Sequence, residues 1–209
     1  MTNTWNTKGI VLFYTPFKEA DRLYTIYTEL FGKQLLRAHG IKKIKAKLAG
    51  SLEPYAEVEL FVIESKLINK IGGAVVKDAF RNIHNDIGRL NAAAFISEVV
   101  SNITKEDSPE PELYKLLYST LSWQNHNSAQ RTVLYSFVIK SARILGYDLA
   151  AQTKDVDTKK VILWLQTMSF EDVQKLRVNQ EQWNKLLHVI QNWLYDHASG
   201  HIQAEKFLV

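Results

Sequence analysis

The chain carries two hydrophobic periods. From residue 9 to about 78 the apolar positions come in short or alternating runs that predict strands: Gly9 to Tyr14, Leu23 to Thr28, 33 to 39, Ala56 to Ile63, and a weaker piece around 69 to 77. The breaks fall at Pro16, Gly32, Gly40 and Gly50 to Pro54, and Gly72-Gly73 predicts a bulge or bend in the last strand. Roughly five strands in so short a stretch hide their edges most economically by closing a small Greek-key barrel of the OB type; an SH3-like barrel is the alternative.

From about residue 80 onward the period becomes helical. Ala94, Phe95, Val99 and Ile103 recur at steps suited to a helix over 91 to 103, and Ser108-Pro109-Glu110-Pro111-Glu112 opens the next one, with Ser108 as its cap candidate. Segment 129 to 145 places Val133, Leu134, Phe137, Val138, Ser141, Ile144 and Leu145 on one arc and stops at Gly146. Further helices are predicted at about 155 to 168 and 180 to 198. The fold class is therefore α+β, with an OB-type barrel over 1 to 78 and a helical bundle over 79 to 209, joined without a flexible linker and packed together.

Charge adds a direction. The chain holds 26 Lys+Arg and 22 Asp+Glu, net +4. Residues 1 to 78 contribute 12 bases and 8 acids, the remainder 14 and 14, so the whole excess is N-terminal. Lys33, Arg37, Lys42, Lys43, Lys45 and Lys47 follow one another with no acid between Glu29 and Glu53. On a strand over 33 to 39, Lys33, Leu35, Arg37 and His39 share one face, and Ile41 to Lys47 reads as an exposed basic loop. Such a block is an electrostatic footprint for a polyanion, whereas an isolated lysine run is as often a solvated surface. Lys33, Arg37, His39, Lys42, Lys43, Lys45 and Lys47 are the candidate DNA-binding residues.

Catalytic chemistry finds no foothold in the motifs. There is no Gly-rich phosphate loop, dinucleotide fingerprint, zincin motif or nucleophile elbow, and no cysteine, which excludes disulfides, thiol nucleophiles and thiolate zinc sites. No catalytic residue, cofactor or small-molecule substrate is expected. His84 with Asp86, and Asp196-His197 with His201, are poor metal constellations that lack a fixed third ligand. Glu57 and Glu59 alternate with Val58 and Leu60 and are expected to face solvent; of Phe13, Tyr14, Tyr24, Tyr27 and Tyr55, most belong in the core and one or two are free to stack bases. The opening residues form no signal peptide and no apolar run approaches a membrane span, so a soluble, cytoplasmic, nucleoid-associated chain without membrane contact is expected.

Several ordered pieces resemble the RecO family of bacterial recombination mediators: Gly9-Ile10-Val11-Leu12, Glu19-Ala20-Asp21-Arg22-Leu23, Gly32-Lys33, Lys47-Leu48-Ala49-Gly50-Ser51-Leu52-Glu53-Pro54-Tyr55, Val58-Glu59-Leu60, Pro109 to Tyr114, Leu145-Gly146-Tyr147 and His201 to Leu208. The resemblance implies an OB domain and a helical domain that bind single- and double-stranded DNA and anneal complementary strands, with RecR and the acidic, apolar C-terminal tail of SSB as partners, RecA loading as the outcome and no nucleotide hydrolysis. Two departures matter. The four-cysteine zinc module of many relatives is replaced by Asp148 to Thr158, so no metal is implied; and Tyr135 and Ser136 stand where relatives place arginines that meet the SSB tail. Arg131, beside Tyr135, is the substitute candidate for that cation, with Lys140 and Arg143 as fallbacks. A second reading is a non-catalytic protein-interaction adaptor whose basic OB domain binds RNA or an acidic partner; a metal-dependent nuclease, resting on His197 and His201, is the weakest.

Overall fold

A strand that is apolar on both faces needs a barrel interior on one side and a covering layer on the other. The computed structural model, which describes residues 3–41, 49–200 and 202, supplies both. Strands β1 (Thr4–Phe17), β2 (Asp21–Thr28), β3 (Gly32–Ala38), β4 (Glu57–Ile63) and β5 (Lys70–Asp78) close a barrel in the order β1-β2-β3-β5-β4. Neighbours are antiparallel except β3 and β5, which meet in parallel at Arg37 and Lys70, the OB-type arrangement. β1 starts earlier than its apolar run because one half pairs with β4, from Thr4 opposite Ile63, and the other with β2, ending at Phe17 opposite Asp21. The expected irregularity falls at Gly72, where the β4–β5 register slips; a Cβ there would lie 2.7 Å from the Phe61 ring.

The helices follow as α1 (Arg81–His84), α2 (Ile87–Ile103), α3 (Pro111–His126), α4 (Arg131–Ile144), α5 (Val156–Thr167), α6 (Phe170–Val173) and α7 (Gln180–His197), with 3₁₀ turns at Ala49–Ser51 and Leu149–Gln152. Ser108 does not cap α3. Glu110 holds that position without a side-chain bond, and Pro111 supplies the first turn, where a missing N–H costs nothing. Asp86, Asp155, Ser169 and Asn179 cap α2, α5, α6 and α7 by accepting from backbone N–H groups. The single arc expected on α4 is too narrow: Tyr135, Ser136, Ile139 and Ala142 are buried as well, because α2, α3, α5 and α7 all pack on this helix. Ser136 tolerates that burial by donating to the Leu165 carbonyl at 2.8 Å.

Two apolar clusters result. Val11, Tyr24, Ile26, Leu36, Val58, Leu60 and Val62 fill the barrel, while Ile10, Leu12 and Tyr27 reach from its outer face into the core of the bundle. Polar bonds reinforce the seam. The Gln34 amide donates to Asp107 at 2.8 Å, and the Tyr114 hydroxyl donates to Glu57 at the same distance. Glu57 therefore corrects an expectation: α3 covers that end of β4, so this carboxylate is buried, whereas Glu59 is exposed and pairs with Lys77 at 2.7 Å. Burial and the facing Glu57 carboxylate push the Tyr114 hydroxyl far above its ordinary pKa.

Candidate nucleic-acid interface

The end of the barrel where β1 turns into β2 and β3 runs out is organised by one acid. Asp21 opens β2 and is buried; register places Leu23 opposite Arg37, so β3 brings Arg37 and His39 alongside it. Its carboxylate accepts from the Gly40 N–H at 2.7 Å, from Arg37 Nε at 2.7 Å and again from Arg37 Nη2, and from His39 Nδ1 at 3.0 Å. The Gly40 bond, helped by Arg37 and His39 and opposed by burial, holds the Asp21 carboxyl down at about 2. Gly40, at φ +66°, makes the turn that points its N–H at the acid.

Around this clamp, cations lie over rings. The Arg22 guanidinium sits 4.0 Å from the Tyr14 centroid and also reaches the Tyr24 hydroxyl at 3.5 Å. Arg37 lies 5.4 Å and Lys18 Nζ 5.6 Å from the Phe17 centroid. Lys18 and His39 are exposed, and Phe17, Arg22 and Arg37 half-buried, so ring faces and charges share one open surface. The chain leaves this surface at Ile41 and runs into the lysine-rich stretch; Lys42, Lys43, Lys45 and Lys47 lie outside the described residues.

Strand alternation places Lys33, Leu35, Arg37 and His39 outside the barrel and Leu36 and Ala38 within it. Lys33 nevertheless parts company with Arg37. Its ammonium donates to the Ser101 and Thr104 carbonyls, each at 2.6 Å, closing the C-terminal end of α2, and burial lowers its pKa. Charge spacing pointed to Lys33, Arg37 and His39 but missed Asp21, Lys18, Arg22, Tyr14 and Phe17 as one cluster; the available signal was an acid and a cation set apart by one hairpin.

Arg131, Tyr135, Lys140 and Arg143 do not form a single site. Arg131 and Arg143 occupy opposite ends of α4, roughly 18 Å apart at the helical rise. Tyr135 is buried, with its ring 5.3 Å from that of Trp183. Lys140 donates to the Met168 carbonyl at 2.6 Å and lies over Phe170. Arg143 is exposed and borders a cleft with Tyr147 and Leu163.

Metal-like constellations resolve into local contacts. His84 meets the Pro54 carbonyl at 3.2 Å, Asp86 caps α2, and His197 Nδ1 faces the Trp193 carbonyl at 2.9 Å; His201 lies outside the described residues. Among the described residues no three His, Asp or Glu side chains gather as a metal site, and no helix is long and apolar enough to cross a membrane.

Residues 1–80 match the family model of the recombination protein O N-terminal region, and residues 84–159 match that of its C-terminal region. The chain belongs to the RecO family. A DNA repair protein RecO of Desulforamulus reducens is 36% identical over 113 residues, which cover 54% of this chain and 44% of that protein. RecO of Gloeothece citriformis is 27% identical over 82% of this chain and 64% of its own length, and RecO of Myxococcus xanthus 28% identical over 68% and 59%. The aligned part thus spans about half to two-thirds of these RecO relatives. The two RecO models leave 160–209 unmatched, the part that contains α6 and α7.

Proposed function

We propose that this chain is a DNA-binding recombination mediator. It anneals complementary single strands and, with RecR, helps load RecA onto SSB-coated DNA in RecF-pathway repair, without catalysing a covalent reaction. The observation that carries the reading is the open end of an OB-type barrel in a RecO-family chain, where Lys18, Arg22, Arg37 and His39 surround ring faces at the exit to four further lysines. Cations there neutralise the repulsion between two phosphate backbones and leave base edges free to pair, which is what annealing needs. Residues 1–78 act as the DNA-binding domain and 79–209 as the zinc-free partner-binding domain, working in the cytoplasm at the nucleoid. Within the bundle, the acidic, apolar SSB tail is assigned to the cleft beside Arg143, where a guanidinium stands next to exposed Tyr147 and Leu163.

The test replaces Lys42, Lys43, Lys45 and Lys47 together with alanine. The expected result is weaker single-strand binding and slower annealing of complementary strands, with and without SSB, at an unchanged melting temperature. Unaltered affinity removes the lysine stretch from the interface, and a wild-type chain that fails to accelerate annealing overturns the mediator reading in favour of an adaptor.

A further inference from the structure

A cleft of about 330 Å³ opens at the seam between the barrel and α2. Phe13 and Tyr55 supply aromatic surface to it, and Ser97, Glu98, Ser101 and Asn102 bring polar groups from successive turns of α2. We propose that this cleft receives one unpaired nucleobase of a single strand held by the barrel. The inference rests on the DNA-binding reading above and adds a place for a base to what is otherwise a phosphate-binding surface.

Three independent features point to a ligand of that chemistry. First, the Ser97 hydroxyl is buried, at 1% residue exposure, and has no hydrogen-bond partner, an arrangement that is costly unless something completes it. Second, Tyr55 is held at φ +71°, a left-handed conformation unfavourable for a tyrosine, by its N–H bonding to the Val11 carbonyl at 2.6 Å; its ring is backed by a stack with His84, whose own ring meets the Pro54 carbonyl. Backbone strain of this kind persists only where the surroundings over-determine it, and here they fix the ring beside the cleft. Third, among the described residues no lysine or arginine lines the cleft. Phosphate is therefore left to the cationic end of the barrel and, above all, to the four lysines that follow it in sequence, and a flat group with hydrogen-bonding edges is what the lining suits.

Tyr55 lies eight residues after Lys47 in the connection between β3 and β4, so the lysines proposed to hold phosphates are close to the aromatic wall in sequence. Lys33 acts here as a positioning residue: by binding the Ser101 carbonyl it fixes the turn of α2 that forms the far wall.

The experiment uses the full chain and a short single strand of alternating thymine and 2-aminopurine, whose fluorescence falls when the base stacks, beside a control strand with abasic sites in place of 2-aminopurine. Wild type is expected to quench the probe on binding. Tyr55→Gly, which suits the left-handed backbone, removes the ring; it is expected to abolish most of the quench and weaken binding about tenfold, while binding the abasic strand as wild type does. Ser97→Ala removes the unpartnered hydroxyl and is expected to keep or raise the melting temperature, yet weaken binding of the base-bearing strand relative to the abasic one. DNA binding with a quench that survives both substitutions overturns the base site and leaves the mediator reading intact; no DNA binding by wild type overturns both.

Discussion

Asp21→Asn is the substitution with the most informative pair of opposed effects. Asparagine fills the same space and keeps one oxygen for the Gly40 N–H, but it gives up the charge that holds the two Arg37 contacts and the His39 contact. Hydrogen bonds to a charged group contribute about 1.5–3 kcal/mol each and neutral ones about 0.5–1.5. Arg37 is partly exposed and rehydrates when released, which offsets part of the loss, so the net destabilisation comes to about 2–4 kcal/mol. For a chain of this size that lowers the melting temperature by roughly 4–16 °C. The pH dependence follows from the sign of the shift. The Asp21 carboxyl is held at about 2 against an ordinary 3.8, so its contribution is fully present above about pH 4 and disappears as the pH falls towards 2. Thermal melts by far-UV circular dichroism should show a wide gap between wild type and variant at pH 7 that closes in acid. In parallel, freeing Arg37 and His39 from their acid should tighten single-strand binding and steepen its salt dependence by about 0.7 in log-log slope per added phosphate contact. A melting temperature equal to that of wild type at neutral pH refutes the clamp, and an unchanged affinity and slope refute the placement of the DNA interface at this end of the barrel.

Four further substitutions test how the barrel is fixed to the bundle. Lys33→Met removes both bonds to the end of α2 and should cost about 1–3 kcal/mol in chemical denaturation while leaving phosphate affinity within about twofold; a loss of DNA binding at unchanged stability would place the ammonium on the nucleic acid instead. Tyr114→Phe strips buried Glu57 of its donor and should also cost about 1–3 kcal/mol; Glu57→Gln in that background should recover part of the loss, and strictly additive losses would contradict the contact. Gly32→Ala forces a side chain onto a φ of +66° and puts its Cβ 2.3 Å from the Ser108 carbonyl oxygen, so the denaturation midpoint should fall by well over the equivalent of about 1 kcal/mol; a midpoint equal to that of wild type would show that the 108 segment moves aside freely.

The barrel is legible in the sequence because its strands are buried on one face at least, and a period of two survives whatever covers the other face. The start of β1 escapes because Thr4 to Lys8 carries too few apolar residues: Thr7 is buried although polar, and Trp5 is its one large apolar side chain. Helices α1 and α6 are single turns, shorter than the period that would announce them. Residue contacts across the seam are a different matter. Whether Glu57 meets water or Tyr114, and whether Lys33 meets phosphate or a helix end, depends on which outer face of the barrel the bundle covers, and no local pattern records that. The same holds for Asp21, whose partners sit sixteen or more residues away and reach it through the β2–β3 register.

In the proposed interface, that register also bears on where DNA affinity comes from. Among the described residues at the open end, Lys18, Arg22 and Arg37 stand against Glu19 and Asp21, three charges against two, for a net of +1 with His39 neutral. A surface so nearly balanced would release few counterions on binding a strand and is suited to orienting it through its rings. Lys42, Lys43, Lys45 and Lys47 add four charges with no acid among them. If each meets one phosphate, their joint replacement by alanine removes about 2.8 from the magnitude of the log-log salt slope, at about 0.7 per contact on a single strand. Binding that remains in that variant should then be weak and nearly indifferent to salt, carried by stacking on groups such as Tyr14 and Phe17. Titrations of a labelled single strand across a range of salt concentrations read this directly. A slope in the quadruple variant as steep as in wild type would mean that the phosphates lie against some other surface, and the division between a charged segment that holds the backbone and an aromatic barrel end that orients the bases would fail.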